Sequence, residues 1–265
     1  DTRGKRTVSS VYVELALPIV SEEMNIPLVQ SFDMQLAARA ENYSDFGGVA
    51  KPKVAVAWGI FDGLKLRGSY SEGFRAPNLE QTNTATYGRL ATNNDFIRCE
   101  ADLRARRIAT FGACSRSIGY SLLLSGNKDL EPEESTNSSI GVVFEPRFLP
   151  DAMGSFIFTA DKWRIEQEKI VGLFGGASAV AQDYLDRVQG RSNPLVTRAA
   201  PNADDIALFA GTGIAPVGQI ISVSDRFINL LPQQVEGIDL GLIWRLRDTP
   251  IGNFRLTLNA SKLTK

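Results

Sequence analysis

The chain has 265 residues, 43% of them hydrophobic and 22% charged, with a formal net charge of -1 and no histidine. No stretch approaches the roughly 18 to 20 apolar residues of a membrane-spanning helix, no basic face invites nucleic acid, and the commonest general base and metal ligand is missing. Those classes are disfavoured, but a membrane β-barrel is not, because its lipid face uses only alternate residues.

Residues Asp1 to Thr7 are polar, without the apolar core of a signal peptide, and lead into a first strand over Val8 to Val20. There Val11, Val13, Leu15, Leu17 and Ile19 alternate with Tyr12, Glu14, Ala16 and Pro18. Polar residues 21 to 26 turn the chain, and a second strand runs from about Pro27 to Asn42. After a connection at Tyr43 to Ala50 a third strand, Lys53 to Ile60, places Val54, Val56, Trp58 and Ile60 on one face. Asp62-Gly63 is a tight-hairpin turn. The fourth strand, from Leu64, alternates Leu64, Leu66, Gly68 and Tyr70 with Lys65, Arg67, Ser69 and Ser71. More than fifty residues then follow, about Asn78 to Glu133, well beyond a hairpin loop of about 2 to 5 residues.

A fifth strand is expected over Ser135 to Glu145 and a sixth over Ser155 to Val171. The sixth loses its alternation around Asp161-Lys162-Trp163-Arg164, so its faces stay unassigned and a bulge is expected there. A second long connection, about Gly172 to Val235, contains a helical pattern at Ala179 to Gln189 and a candidate extra hairpin at Gln219 to Asn229. Strands over Gly237 to Leu246 and Phe254 to Leu263 complete the set of eight. Both very long connections fall on the same side of this meander, and Phe32, Trp58, Phe156, Trp244 and Phe254 gather at the opposite, short-turn ends, as an interfacial girdle does. The expected fold is therefore all-β: an antiparallel transmembrane β-barrel, in part, with long extracellular loops.

Four short motifs give this pattern a family. Gly73-Phe74-Arg75-Ala76-Pro77 is followed by Gly126-Asn127-Lys128-Asp129-Leu130-Glu131-Pro132-Glu133. Tyr43-Ser44-Asp45-Phe46-Gly47 stands before Pro52-Lys53-Val54, and Gly237-Ile238-Asp239-Leu240 opens a late strand. In this order they resemble the barrel domain of TonB-dependent outer-membrane receptors. The resemblance implies that residues 1 to 265 are a fragment of a barrel of about 22 strands around an amino-terminal plug, with the plug, the TonB-contacting motif and the end of the barrel outside the chain. It also implies the outer membrane of a Gram-negative bacterium. Expected partners are outer-membrane lipid, the plug, TonB and a small nutrient, with no nucleic acid, enzyme activity, cofactor or metal. Ferric siderophore, cobalamin and oligosaccharide are open as nutrients, siderophore being the family's commonest. The alternatives are a passive porin-like or small barrel, or an adhesin without energy coupling.

Cys99 and Cys114 lie in the first long connection, where the resemblance implies a disulfide in an oxidising exterior; two free thiols are the other reading. Between and beside them, Arg98, Arg104, Arg106 and Arg107 have the chemistry to meet an anionic chelate, although a solvated helix with internal ion pairs is the weightier reading. Arg75, Asn78 and Tyr120 are further loop candidates for ligand contact. Arg39, Glu41, Lys65, Arg67, Asp239, Arg255 and Asn259 project from the polar strand faces, and these, with Glu133, are expected to line a wet interior or touch the plug. The glycines at 172 to 176 and 211 to 213 lack the spacing of phosphate loops.

Overall fold

The computed structural model describes residues 3–265, which divide into two compact units. In chain order the elements are β1 (Val8–Val20), β2 (Ser31–Tyr43), β3 (Gly47–Phe61), β4 (Leu64–Arg75), α1 (Leu79–Asn83), β5 (Tyr87–Asn94), α2 (Phe96–Arg104), β6 (Ser117–Ser125), β7 (Glu133–Phe144), β8 (Ser155–Glu168), β9 (Val171–Leu173), α3 (Gly176–Val188), β10 (Val196–Arg198), α4 (Ala203–Phe209), β11 (Ile220–Asn229), β12 (Gln233–Thr249) and β13 (Gly252–Leu263).

The unit formed by Arg6–Ala76, Glu131–Ile170 and Leu231–Lys265 is an eight-stranded sheet in the order β1-β2-β3-β4-β7-β8-β12-β13, antiparallel throughout. Directly paired residues share a face, so register carries the sequence alternation across the sheet. One row reads Leu17, Met34, Val56, Gly68, Ile140, Lys162, Ile238, Lys262, and a neighbouring row on the same face reads Phe32, Trp58, Leu66, Val142, Ala160, Leu240, Ala260. The opposite face carries Asp33, Ala57, Arg67, Gly141, Asp161, Asp239 and Ser261. Every fully buried apolar side chain among the described residues lies in the other unit. The sheet's own apolar face is uncovered, with Val11 73% and Leu258 52% exposed. A continuous apolar belt of this size needs hydrocarbon against it.

At the short-turn end, the indole N–H groups of Trp58 and Trp244 donate to the carbonyls of Leu28 (3.0 Å) and Met153 (2.8 Å), and Phe156 stacks on Phe158 with ring centroids 6.2 Å apart. The apolar ring bodies and satisfied N–H groups suit an interface. Gly63 makes the β3–β4 turn at φ +94°, a region costly for other residues, and its carbonyl accepts from the Glu145 amide at 2.6 Å.

Four expectations are corrected. The second strand begins at Ser31, because residues 26 to 30 form a turn closed by an Ile26–Val29 bridge. The third begins at Gly47, extended by pairing with β2 despite a glycine- and proline-containing sequence. Strand β8 has no bulge: its register with β7 and β12 is unbroken. Its alternation fails because Trp163 lies on the polar face, its ring over Gly237, while Lys162 falls on the apolar one. The expected extra hairpin is a single strand, β11, in a separate sheet.

That sheet belongs to the second unit, which contains Pro77–Leu130 and Val171–Leu230. Its order is β10-β11-β6-β5, with β9 on the far part of β11 and β11 parallel to β6. Tyr120, Ala179, Val180, Val196, Ile220 and Val223 form one core; Ile97, Ala101, Phe209, Ile214 and Val217 form another.

Candidate functional site

The two insertions that build this second unit leave the eight-stranded sheet from the same end, between β4 and β7 and between β8 and β12. The paired motifs meet at that end. Arg75 stands opposite Glu133 in the register and donates to it at 2.6 Å, Gly73 leaves room for the Ser135 hydroxyl, and Phe74 packs edge-on against Tyr43 at 6.0 Å. Arg75 thus holds the loop base, and its side chain stays 70% exposed. Lys51 donates to Glu134 at 2.6 Å, which also accepts from Lys169 at 3.0 Å. Arg6 grips both carboxylate oxygens of Asp45, at 3.1 and 2.6 Å, and lies over the rings of Tyr43 and Phe46. A cavity of about 670 Å³ opens here on the sheet, lined by Arg6, Tyr12, Arg39, Lys51, Glu72 and Arg75 among others. Arg6, Tyr12 and Lys51 were missed by the sequence reading, although Tyr12 and Lys51 share the polar parity of Arg39 in the register.

The interior-face set lies on one face. Arg39, Lys65, Arg67, Asp239, Arg255 and Asn259 all occupy polar-parity positions. Arg39 pairs with Glu41, which also accepts from the Tyr43 hydroxyl. Arg255 faces Arg245 directly, leaving excess positive charge at the short-turn end.

In the loop unit, Cys99 and Cys114 are disulfide-bonded, Cα atoms 5.4 Å apart, closing a separation of 15 residues. Asp102 ties the same loop again, accepting from Arg116 at 2.6 and 2.9 Å and from Arg107 at 2.6 Å. The Arg116 guanidinium holds its carboxyl below the usual range, and Arg107 acts with it against the opposing effect of burial. The solvated helix expected around these arginines is α2, Phe96–Arg104, which begins ahead of Cys99.

The loop arginines are mostly engaged internally. Arg98 is 8% exposed, forms an ion pair with Asp95 at 3.3 Å without a hydrogen bond from its Nε, and donates to Asp205. Arg104 is held by Glu100 at 2.8 Å and the Thr212 carbonyl at 3.3 Å, and Arg107 also donates to the Leu208 carbonyl at 2.5 Å. Arg106, exposed at φ +58°, is the one of the four without such a partner among the described residues. Asn78 caps α1, its side-chain oxygen accepting from the Gln81 amide at 2.7 Å. Tyr120, 4% exposed, is in the core, where burial and then Asp225 push its phenol above the ordinary range.

Sequence reasoning also missed the charge cluster that Arg98 joins. Arg198 donates to Asp95 at 2.7 and 2.8 Å and to Asp183 at 2.9 Å; Asp183 also accepts from Arg187 at 3.0 Å and from the Asn193 amide at 3.2 Å. Asp95 and Asp183 are fully buried, and this shared set of donors offsets the cost of taking their carboxylates out of water. The cluster fixes α2, α3 and β10 to one another.

An antiparallel wall, apolar on one face and charged on the other, with two long insertions at one end, is the architecture of part of a transmembrane β-barrel. The family model for "TonB dependent receptor-like, beta-barrel" matches residues 1–265, and the chain belongs to that family. It is 26% identical over 159 residues to the Acinetobacter baumannii protein described as "Probable TonB-dependent siderophore receptor PirA", covering 60% of this chain and 19% of that protein. The crystal structure of the siderophore receptor PirA from A. baumannii superposes with a TM-score of 0.57 at 18% identity, over 98% of this chain and 28% of that one. A ferric enterobactin receptor (PfeA) mutant from Pseudomonas aeruginosa, in complex with enterobactin, gives 0.56 at 14% identity, over 98% and 27%. The chain thus spans less than a third of these relatives.

Proposed function

We propose that this chain is part of the wall and the outer vestibule of an outer-membrane receptor that binds a ferric siderophore and imports it with energy delivered through TonB. The plug and the TonB-contacting segment belong to other parts of the complete protein. The observation that carries the reading is the eight-stranded sheet with one uncovered apolar face and both large insertions at the same end. Siderophore is favoured over cobalamin and oligosaccharide because the similar proteins are described as siderophore and ferric enterobactin receptors.

Within this reading the chain binds and positions, and makes or breaks no bond. The candidate ligand groups are Arg106 in the loop unit and Arg75 at the loop base, which keep exposed guanidinium surface for an anionic chelate. The test is uptake of radiolabelled ferric siderophores by iron-starved cells carrying or lacking the complete gene, with and without TonB. Gene- and TonB-dependent accumulation of one siderophore class is expected; uptake unaffected by loss of TonB would favour the passive channel.

A further inference from the structure

The loop from Cys99 to Cys114 is closed by more than its disulfide. On α2, Cys99 and Asp102 stand three residues apart on one face. Past the short turn at residues 111 to 113, Cys114 is extended and Arg116 follows two residues on, on the same side of the chain. The Asp102–Arg116 pair, joined through both carboxylate oxygens at 2.6 and 2.9 Å, is thus a second rung beside the disulfide. The Asp95 amide adds a third, donating to the Arg116 carbonyl at 2.9 Å. The helix itself is held independently of the sulfurs, with Ile97 and Ala101 fully buried in the cluster of Phe209, Ile214 and Val217.

To a reagent in solution the two sulfurs differ. Cys99 has no exposed surface, whereas Cys114 is half-buried. The Arg116 amide lies 3.5 Å from the Cys114 sulfur and points a donor at the negative charge that this sulfur carries as a thiolate. Exchange with an outside thiol or disulfide depends on access and on thiolate character, and both favour Cys114.

We propose that this loop is a thiol–disulfide exchange site in which Cys114 is the sulfur open to solution, Cys99 the resolving partner, and Asp102 with Arg116 the positioning pair that keeps the reduced thiols in register. In oxidation the Cys114 thiolate attacks a low-molecular-weight disulfide, forming a mixed disulfide and releasing one thiolate. The Cys99 thiolate then attacks the Cys114 sulfur and expels the second. The two cysteine protons end on the two released thiols, and the two electrons the cysteines lose reduce the reagent disulfide. Reduction runs the same steps backwards, the incoming thiol bonding first to Cys114. The reduced loop is less stable but keeps its path, so the disulfide re-forms without unfolding of α2. The site is complete within the loop unit and is independent of the ligand the receptor takes.

The test is a glutathione redox titration of the complete receptor in detergent, with Cys99 and Cys114 followed by differential alkylation and peptide mass spectrometry. Arg116→Gln is expected to lower the effective concentration of the two thiols about tenfold, the scale of one charge-assisted hydrogen bond. Val180→Ala, a core truncation in the same unit away from this loop, should leave it unchanged. In the reduced wild type, a comparison needing no variant, a pulse of N-ethylmaleimide should label Cys114 well ahead of Cys99, and denaturant should abolish the difference. An undiminished effective concentration in Arg116→Gln overturns the positioning role, as does an equal fall in Val180→Ala, which would mark general destabilisation. Cys99 labelled as fast as Cys114 in the reduced, undenatured wild type overturns the assignment of the two sulfurs.

Discussion

Arg67 on β4 and Asp161 on β8 form a bidentate ion pair at 2.8 and 2.6 Å although a whole strand lies between them; they meet because the intervening residue of β7 in that row is Gly141. A Cβ at position 141 would stand 2.7 Å from the Asp161 Cγ. Gly141→Val should therefore break the pair as surely as Arg67→Met. With Arg67 half-exposed, each change is expected to cost about 1 kcal/mol. The two together should cost less than their sum, read as the temperature at which the folded band is lost on gels.

Face assignment is testable through tryptophan. Trp58 and Trp244 stand on the apolar face and Trp163 on the polar one, over Gly237. In single-tryptophan variants, lipids brominated near the headgroup should quench Trp58 and Trp244 and leave Trp163 bright. Quenching of Trp163 would reverse the faces of β8.

Arg198→Met should destabilise the loop unit severely, because it leaves Asp95 and Asp183 buried with too few donors. A loss of about 3 to 5 kcal/mol is expected. Arg198→Lys should recover little, since an ammonium cannot fork between two carboxylates. Hydrogen exchange in α3 and β11 measures both.

Removing the disulfide by Cys99→Ser/Cys114→Ser should cost the loop unit up to about 3 kcal/mol, the chain-entropy scale for a loop of this length. Protease cleavage between residues 104 and 114 should rise while the sheet stays resistant.

Acid should loosen the same loop at a defined place. The Asp102 carboxyl is held below its unfolded value of about 3.9 by Arg116 and Arg107. Its stabilising contribution is thus complete above that value and is lost as pH falls through the lower folded value. Arg116→Gln should move the onset of loop opening up toward about pH 4, the ordinary carboxylate range, read by pepsin cleavage across an acid series.

The sheet was legible because a wall wet on one face and greasy on the other must alternate, and period two survives through most of β1, β4, β12 and β13. Where a single residue served packing instead, as Trp163 does over Gly237, the period failed and the face was lost. The loop unit was far less visible. In β6 the run Ile118, Tyr120, Leu122, Leu124 was available as a strand signal, but β9 and β10 are three residues each and carry none. The charge cluster was illegible for another reason: Asp95, Asp183, Arg198 and Asp205 are scattered along two insertions, and only the fold brings them to shared partners.

The parallel pairing of β6 with β11 joins strands from different insertions, and Arg198 crosses between the same two segments to reach Asp95. Neither insertion carries a complete sheet or a neutral interior by itself. Recombination that swapped one of them from a relative would leave unmatched strands and orphaned carboxylates, so the two insertions form one heritable unit. Transplanting this loop unit onto another wall calls for moving residues 77 to 130 and 171 to 230 together.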